Sequence, residues 1–249
     1  MNHTNKVVVI TGAAKGIGKV TAQIFASQGA KVSFCDIDQQ AGLEALAELQ
    51  SAGYQAYFQK VDITSMEDMR AYADATAEEF GGIDILVCNA GAGIMGTFSE
   101  LSLEDWNRCI NINLTGAFIA CKAVVPHLLK RGHGEIVIVS SASALTGTGA
   151  GAAYATAKAG LNGFTRALAR DLTPKGIIVN AVAPRTIMTP LMKQIFTPEE
   201  LEAKTREIPL GRIGEPEDVA HWISWLASEE SDFMCGEIVM IDGGRTYLS

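Results

Sequence analysis

The 249-residue sequence has no excess of basic residues and no long apolar run. Its 28 acidic residues exceed its 20 lysines and arginines, which gives a formal charge of −8 and offers no basic face to replace the counterions of nucleic acid. Its longest apolar stretches, residues 7–10 and 136–139, have the length of strands and fall far short of the ~18 residues that span a bilayer. We therefore expect neither nucleic acid nor a membrane as a partner.

The cysteines and histidines show no pattern of a metal site or of a disulfide framework. The five cysteines are odd in number and include no CxxC pair, and four lie in apolar or strand-like contexts, which predicts buried free thiols in a reducing compartment. The four histidines lack ligand spacing, and no G-x-S-x-G sequence supports serine-hydrolase chemistry. The spacing of the cysteines and histidines therefore predicts no metal site. The first residues enter an apolar strand without the apolar core of a signal peptide, so we expect a cytoplasmic protein.

Apolar runs alternate with helical patterns along the whole chain. Several of the runs are apolar throughout, as in strands that helices cover on both faces. The pattern predicts an α/β fold, a single doubly wound Rossmann-type domain over residues 1–249, with a parallel seven-stranded sheet flanked by helices on both faces. Residues 184–212 have no clear place in the sheet and are predicted to form a substrate lid. The predicted strands are residues 6–11, 31–35, 55–61, 83–88, 135–140, 176–181 and 238–241.

The first candidate site is a glycine-rich stretch, residues 11–18, between the first predicted strand and the helix after it. Glycine lets the backbone approach a pyrophosphate, and a helix N-terminus offers N–H groups and a favourable dipole. The glycines are Gly12, Gly16 and Gly18, a GxxxGxG spacing that differs from the GxGxxG of most dehydrogenase families. An ordinary tight turn is the alternative, which the placement between strand and helix disfavours.

Three further strand ends carry polar or small residues at the same edge of the predicted sheet. Asp36 can accept hydrogen bonds from both hydroxyls of an adenosine ribose, or can simply form a turn. Asp62 and Ile63 could bond the adenine amino group and flank its ring, although a helix start nearby explains this segment equally well. The small residues of Asn89-Ala90-Gly91 let the chain pass close to a cofactor. Asn89 itself is expected to pin neighbouring strands first and to approach the cofactor second.

The residues that decide the chemistry are Tyr154 and Lys158, which stand four apart on one face of a predicted helix. A phenol keeps its proton to pH ~10, and a fixed ammonium nearby lowers this pKa towards the range of a general acid or base. Ser141, at the end of the fifth predicted strand, can polarise the oxygen that Tyr154 protonates. A Tyr/Lys pair is common by chance, but its combination with Ser141 and the glycine loop in this order is not.

Over essentially its whole length the sequence resembles the short-chain dehydrogenase/reductase family. Besides the residues above, the resemblance rests on Asn113-Leu114-Thr115-Gly116, Asn180-Ala181-Val182-Ala183-Pro184, Thr189-Pro190 and Asp242-Gly243-Gly244. It implies a catalytic tetrad of Asn113, Ser141, Tyr154 and Lys158, in which Asn113 kinks its helix and holds a water. It also implies a homotetramer and cofactor contacts from Gly12, Lys15, Gly16, Ile17, Gly18, Asp36, Ile37, Asp62, Ile63, Asn89, Ala90, Gly91, Tyr154, Lys158, Pro184, Ile187 and Thr189.

Two charged residues make opposite predictions about the cofactor. Lys15 is the kind of residue that NADP-using members of this family place near the 2′-phosphate, whereas Asp36 suits the free ribose hydroxyls of NAD. A carboxylate ~4 Å from a phosphate repels each of its charges by roughly 4 kcal/mol at an effective dielectric of 20, and Lys15 is long and screened. We therefore predict NAD, with NADP as the alternative.

Two positions depart from the family pattern. Cys88 stands where the family usually has asparagine, and Arg185 stands where it mostly has glycine. Arg185 could project towards Ser141 and Tyr154 and recognise an anionic substrate group or several hydroxyls. Alternatively, it points to solvent or pairs with Glu199 or Glu200.

The sequence thus predicts a nicotinamide-dependent oxidoreductase that transfers a hydride between NAD(H) and a secondary alcohol or ketone, such as a small polyol, sugar, hydroxy acid or steroid. A 3-oxoacyl-thioester reductase that uses NADP(H) is the alternative within the family. A catalytically silent dinucleotide-binding sensor is the alternative outside enzymes, and the filled tetrad disfavours it.

Overall fold

The structure, a computed structural model, describes residues 1–94, 96–190, 192 and 196–247. Its strands pair in parallel to form one seven-stranded sheet in the order β3-β2-β1-β4-β5-β6-β7. The predicted fold class is confirmed. The strands are β1 (Val7–Thr11), β2 (Lys31–Asp36), β3 (Ala56–Lys60), β4 (Ile85–Cys88), β5 (Gly134–Val139), β6 (Ile177–Pro184) and β7 (Ile238–Ile241).

Helices connect the strands, and side chains cap the N-termini of several of them. Ser65 accepts a hydrogen bond from the N–H of Asp68 at the start of the third helix, and Thr197 forms a capping box with Glu200 further along the chain. The helices are α1 (Gly16–Ser27), α2 (Gln39–Ser51), α3 (Met66–Phe80), α4 (Leu103–Ile110), α5 (Gly116–Arg131), α6 (Ser143–Thr146), α7 (Ala152–Leu172), α8 (Pro198–Arg206) and α9 (Pro216–Leu226).

Two apolar layers enclose the sheet, one on each face. Alternate residues of β1 point to opposite layers, with Val8 and Ile10 packed beneath α1, α2 and α9, and Val9 packed beneath α3, α5 and α7. Burying such a side chain stabilises the fold by roughly 1.5–3 kcal/mol. Because all seven strands are parallel, the loops after them meet at one edge, which we call the carboxyl edge.

Several predicted boundaries differ from the structure. Strand β6 continues through Pro184, and β5 ends at Val139, so Ser141 lies in the loop after the strand. The predicted lid, residues 184–212, contains α8. The long helix predicted for residues 103–130 is present as α4 and α5, but a π-helical turn, Asn111–Thr115, joins them.

By length and composition, the helical stretch Leu103–Arg131 is long and apolar enough to cross a membrane. Half of its most apolar 18-residue segment is buried inside the structure. A core helix of this kind meets the same criterion, so the observation is weak support for a membrane helix. Four cysteines are buried free thiols as predicted, and Cys235 is exposed.

Candidate active site

The π-helical turn Asn111–Thr115 directs the side chain of Asn113 towards the loop after β4. Asn113 is 1% exposed, and its amide nitrogen donates to the carbonyl oxygens of Ala92 at 2.8 Å and Cys109 at 3.0 Å. Its amide oxygen accepts from the N–H of Ala92 at 3.2 Å. Turns of this kind widen the helix by one residue and occur frequently at functional sites. The kink expected from the family resemblance is therefore a π turn, and Asn113 fastens it to the carboxyl edge.

Helix α7 carries Tyr154 and Lys158 on the face that meets β5. The ammonium of Lys158 is buried, lies 5.5 Å from the centre of the Tyr154 ring, and donates to the carbonyl oxygen of Val139 at 2.8 Å. A Cβ added to Gly91 would lie 3.4 Å from this ammonium and 2.7 Å from the amide oxygen of Asn113, so the three residues are neighbours. Burial lowers the pKa of Lys158 to about 8.

Ser141 completes the cluster from the loop after β5. Burial raises the pKa of Tyr154, and the Ser141 hydroxyl beside the phenol opposes this rise by favouring the phenolate. The Ser141 hydroxyl also donates to the hydroxyl of Ser143 at 3.1 Å and accepts from the N–H of Ser143 at the same distance. The structure therefore brings the four predicted tetrad residues together, from three separate segments of the chain.

The glycine loop after β1 forms a tight backbone cradle. Gly12 has φ +67°, and a Cβ on it would lie 2.6 Å from the Cα of Ala90. A Cβ on Gly18 would lie 2.4 Å from the carbonyl oxygen of Gly12 and 2.5 Å from the amide nitrogen of Asn89. That nitrogen donates to the carbonyl oxygens of Thr11 and Gly12 at 3.0 and 2.7 Å. Asn89 thus pins the ends of β1 and β4, as predicted.

Asp36 holds the far side of this cradle. Its carboxylate accepts hydrogen bonds of 3.0 Å from the N–H groups of Ala14 and Asp38. The ammonium of Lys15 lies 2.7 Å from the carboxylate of Asp38, and both of these side chains are largely exposed. This hydrogen bond raises the pKa of Lys15 and lowers the pKa of Asp38. The predicted competition between Lys15 and Asp36 therefore involves a third charge, Asp38, which sequence reasoning did not include.

The two predicted adenine contacts after β3 have local partners of their own. The carboxylate of Asp62 accepts from the N–H of Thr64 at 2.9 Å and from its hydroxyl at 2.7 Å. Ile63 packs so closely against Gly116 that a Cβ there would lie 2.7 Å from the Cδ1 of Ile63. Ser65 caps α3, as the helix-start alternative predicts, while the side chain of Asp62 remains exposed. Ile37, in the loop after β2, is 64% exposed.

The segment after β6 passes beside both the cradle and the tetrad. The carbonyl oxygen of Pro184 accepts from the N–H of Ala142, next to Ser141, at 3.1 Å. A Cβ on Gly16 would lie 3.7 Å from the Cγ2 of Thr189. Ile187 is buried and pairs in a parallel bridge with Gly214. These contacts bring Pro184, Ile187 and Thr189 to the region where the sequence predicts a nicotinamide ring.

Arg185 does not follow either prediction made for its side chain. Its guanidinium donates to the hydroxyl of Thr246 at 3.1 Å, and no ion pair with Glu199 or Glu200 exists in the part of the chain that the structure describes. It lines a cavity of about 140 Å³ whose lining includes neither Ser141 nor Tyr154. The reason is that Arg185 follows the last residue of β6, so its backbone N–H pairs with Ile241 of β7 and its side chain reaches the C-terminal turn.

Several residues that support the site were missed in the sequence. The hydroxyl of Thr11 accepts the N–H groups of Asn89 and Ala90, both at 3.1 Å, and the hydroxyl of Ser140 donates to Asn162 at 2.7 Å and to the carbonyl oxygen of Lys158 at 3.1 Å. A small hydroxyl residue at each strand end was the available signal. Within the described residues, no group of three or more His, Cys, Asp or Glu side chains could hold a metal ion.

Comparison with known proteins gives consistent matches over the whole chain. A family model described as enoyl-(acyl carrier protein) reductase matches residues 12–246. The chain is 40% identical over 248 residues to the trans-4-hydroxycyclohexanecarboxylate dehydrogenase of Sinomonas cyclohexanicum, a match that covers 97% of this chain and 93% of the relative. It is 38% identical over 245 residues to the 3-oxoacyl-(acyl-carrier-protein) reductase of Thermotoga maritima, covering 98% and 99% of the two chains.

A solved structure agrees with these sequence matches. The crystal structure of a short-chain type dehydrogenase/reductase from Mycobacterium marinum has a TM-score of 0.93 at 33% identity, over 99% of this chain and 97% of that one. The chain belongs to the short-chain dehydrogenase/reductase family. It is therefore an oxidoreductase that acts on the CH–OH group of a secondary alcohol, or on the matching ketone, with a nicotinamide cofactor.

The residues at the cradle fit such a cofactor. Helix α1 begins at Gly16 without a side-chain cap and without an acidic residue in its first turn, unlike α3, α4 and α8, which have both. Its first N–H groups therefore remain available to an anion such as a pyrophosphate. Because Gly12 and Gly18 have no side chain, the loop packs directly against Ala90 and Asn89, the kind of close backbone packing that a dinucleotide-binding turn requires.

Proposed function

We propose that this protein is an NAD(H)-dependent dehydrogenase of neutral secondary alcohols, with residues 1–249 forming one catalytic domain and residues 184–212 its lid. The observation that carries the proposal is the convergence of Asn113, Ser141, Tyr154 and Lys158 beside a glycine cradle that fits a dinucleotide. When bound, the nicotinamide ring supplies or accepts the hydride, and the chain's own residues handle the oxygen and its proton.

In this proposal Tyr154 is the general acid and base. Its phenol gives a proton to the ketone oxygen during reduction and takes it from the alcohol during oxidation. Ser141 donates a hydrogen bond to the same oxygen and fixes its position. Lys158, whose ammonium lies 5.5 Å from the Tyr154 ring, favours the phenolate by its charge and binds the cofactor ribose. Asn113 holds the π turn and a water that links Lys158 to solvent.

The choice of NAD over NADP rests on Asp36 and on the partner of Lys15. A 2′-phosphate beside the Asp36 carboxylate meets repulsion, and its natural counter-charge, Lys15, is engaged with Asp38. Fluorescence titration with NADH and NADPH tests this choice. We expect the parent protein to bind NADH with a lower Kd than NADPH. In Asp36→Asn we expect a smaller difference between these two Kd values. A lower Kd for NADPH in the parent protein would contradict the proposal.

A neutral substrate is favoured by the apolar side chains near the tetrad. Leu145 on α6 and Phe98 in the loop after β4 are 56% and 80% exposed, and Gly93 and Ala150 bring these two loops into contact. The Arg185 guanidinium, the candidate for anion recognition, bonds Thr246 instead. One relative is named for a cyclohexane ring that carries both a secondary alcohol and a carboxylate, so cyclic secondary alcohols are the first compounds to test, with and without a carboxylate.

A substrate screen at the absorbance band of reduced nicotinamide tests the function directly. Cyclohexanol-type alcohols, linear polyols and steroid alcohols are each supplied with NAD⁺ or NADP⁺, and the matching ketones with the reduced cofactors. We expect turnover of cyclic neutral alcohols with NAD⁺ and its loss in Tyr154→Phe. Cofactor binding without turnover of any compound would instead identify a silent sensor.

The second candidate is a 3-oxoacyl-thioester reductase, because the chain is 38% identical to a reductase of that name. An acetoacetyl thioester with NADPH is the discriminating substrate. Reduction of this thioester at a kcat/KM above that of every simple ketone would favour the second candidate over the first.

We also propose a cytoplasmic homotetramer. Among the apolar residues of α5 and α7, Ile119, Val124 and Leu161 belong to the core. Phe118 remains 44% exposed and packs against Phe164, with ring centres 6.2 Å apart, which leaves apolar surface available to a second copy. Sedimentation at micromolar concentration should give a tetramer, and a 26.4 kDa monomer would contradict this.

A further inference from the structure

The C-terminal turn, residues 242–246, touches both ends of the lid segment. The guanidinium of Arg245 donates to the hydroxyl of Thr186 at 2.6 Å and forms an ion pair with Glu207, the C-cap residue directly after α8. The N–H of Leu210 also donates to the carbonyl oxygen of Gly243 at 3.1 Å. The Arg245 side chain is only 12% exposed, so one buried cation joins the start of the lid to its far end.

The start of the lid has an unusual backbone conformation at the residue that Arg245 holds. Thr186 has φ +54°, in the left-handed region that β-branched residues rarely adopt. Such a conformation persists only where surrounding contacts impose it. The carbonyl oxygen of Thr186 accepts from the N–H of Gly214 at 3.1 Å, and the N–H of Met188 donates to the carbonyl oxygen of Gly214 at 2.7 Å. The backbone at Thr186 therefore sets the direction of the residues that follow.

We infer that Arg245 is a positioning residue for the cofactor site. By bonding Thr186 and Glu207, it holds the left-handed turn that places Ile187 and Thr189 beside the glycine cradle, where Thr189 approaches Gly16. The inference rests on the proposed function, because Ile187 and Thr189 matter to binding only if a nicotinamide lies against them. It assigns a role to a residue outside the tetrad and outside the cradle.

Two ligands separate this role from a general structural one. NADH carries a nicotinamide, whereas ADP-ribose carries only the part that the cradle holds. Arg245→Ala should raise the Kd for NADH about tenfold, or about 1.4 kcal/mol, and leave the Kd for ADP-ribose within about twofold of the parent. Arg245→Lys should restore part of the NADH affinity. Unchanged NADH binding in Arg245→Ala, or equal weakening of both ligands, overturns the inference.

The matched control is Arg206→Ala. Arg206 is also a lid arginine with an ion pair, but its partner is Glu202, one turn earlier in the same helix α8. Its removal breaks no link between the lid and the C-terminal turn, so both Kd values should match those of the parent. An equal rise of the NADH Kd in Arg206→Ala and in Arg245→Ala would show that the loss of either arginine weakens binding. That result would overturn the inference.

A second substitution tests the strained turn itself. Glycine adopts positive φ readily, so Thr186→Gly should keep the turn without the Arg245 bond, whereas Thr186→Ala should not. In the Arg245→Ala background, Thr186→Gly should therefore recover NADH affinity and Thr186→Ala should not. No recovery with glycine overturns the inference. A parent protein that binds neither NADH nor ADP-ribose overturns the proposed function as well, whereas normal parent binding with an unaffected Arg245→Ala overturns the inference alone.

Discussion

The two halves of the carboxyl edge are built by different means. In the proposed nucleotide half, at the ends of β1 to β4, backbone atoms pack against one another where glycine has no side chain, as at Gly12 and Gly18, and the short side chain of Asn89 pins the strand ends. In the proposed reaction half, at the ends of β5 to β7, long charged side chains make the connections. Examples are Lys158 with the carbonyl oxygen of Val139 and Arg245 with Thr186.

The two kinds of construction tolerate sequence change to different degrees. Close backbone packing at the glycine positions leaves almost no room for an added atom, so the shape of this loop is expected to change little. Side-chain links can be exchanged one at a time, so the reaction half can acquire a new substrate without losing the fold. Of the two departures from the family pattern, Arg185 follows β6 in the reaction half and Cys88 ends β4 in the nucleotide half. Four substitutions test the comparison, beginning with the largest expected effect.

The largest effect is expected when the phenolic hydroxyl of Tyr154 is deleted from the reaction half. Tyr154→Phe should lower kcat about 10²–10⁴-fold, because it deletes the phenolic hydroxyl and little else. The Kd for NADH, which the nucleotide half dominates, should stay within about twofold. Stopped-flow turnover and fluorescence titration measure the two quantities. Activity within a few-fold of the parent, with an intact fold, would refute the assignment of Tyr154.

The next test adds one carbon to the nucleotide half. Gly18→Ala places a Cβ 2.4 Å from the carbonyl oxygen of Gly12, which should lower the free energy of unfolding by about 1–3 kcal/mol and weaken NADH binding. The control is Gly163→Ala in α7, where a Cβ meets nothing within 4 Å and alanine favours the helix by roughly 0.5–1 kcal/mol. Urea unfolding measures both variants. Equal stability in the two variants would remove the steric distinction between the halves.

A third test concerns the buried charge of Lys158. Burial lowers its pKa from 10.5 to about 8, a difference of up to about 3 kcal/mol at 1.36 kcal/mol per unit. At pH 7 the lysine is charged in both the folded and the unfolded chain, so the folded state bears the whole cost. Lys158→Met should therefore be inactive and yet more stable than the parent at pH 7.

The pH dependence of this effect has a definite sign. Between pH 8 and 10.5 the unfolded chain binds more protons at Lys158 than the folded chain, so the stability of the parent rises with pH in this window. The advantage of Lys158→Met should shrink accordingly when urea unfolding is repeated at pH 9.5. A variant less stable than the parent at pH 7 would show that packing around the lysine outweighs its charge.

The smallest effect is expected at Arg185. Its guanidinium makes a 3.1 Å hydrogen bond to Thr246, so Arg185→Ala should cost roughly 0.5–1.5 kcal/mol of stability and change KM less than twofold. Thr246→Val should cost a similar amount, and the double variant should cost less than the sum. A tenfold rise of KM in Arg185→Ala would restore the original hypothesis that this arginine recognises substrate.

Most of the fold, and most residues of the candidate site, could be predicted from the sequence. Continuous apolar runs and the turns between them located all seven strands, because helices cover both faces of the sheet. Residue spacing placed Tyr154 and Lys158 on one helix face, and the structure agrees. What spacing could not supply was the partner of a long flexible side chain, as the hydrogen bonds of Arg185 and the ion pair of Lys15 demonstrate.

Local chemistry along the chain is thus enough to define the strands, the glycine turn after β1, and the helix face that carries the phenol and the ammonium. Long-range packing defines the π turn that brings Asn113 to the site, the ion pair of Asp38 with Lys15, and the link that Arg245 makes between Thr186 and Glu207. Periodicity reports which face of an element is buried. It carries no information about contacts between residues that are far apart in the chain, and those contacts arise only when the sheet and helices pack.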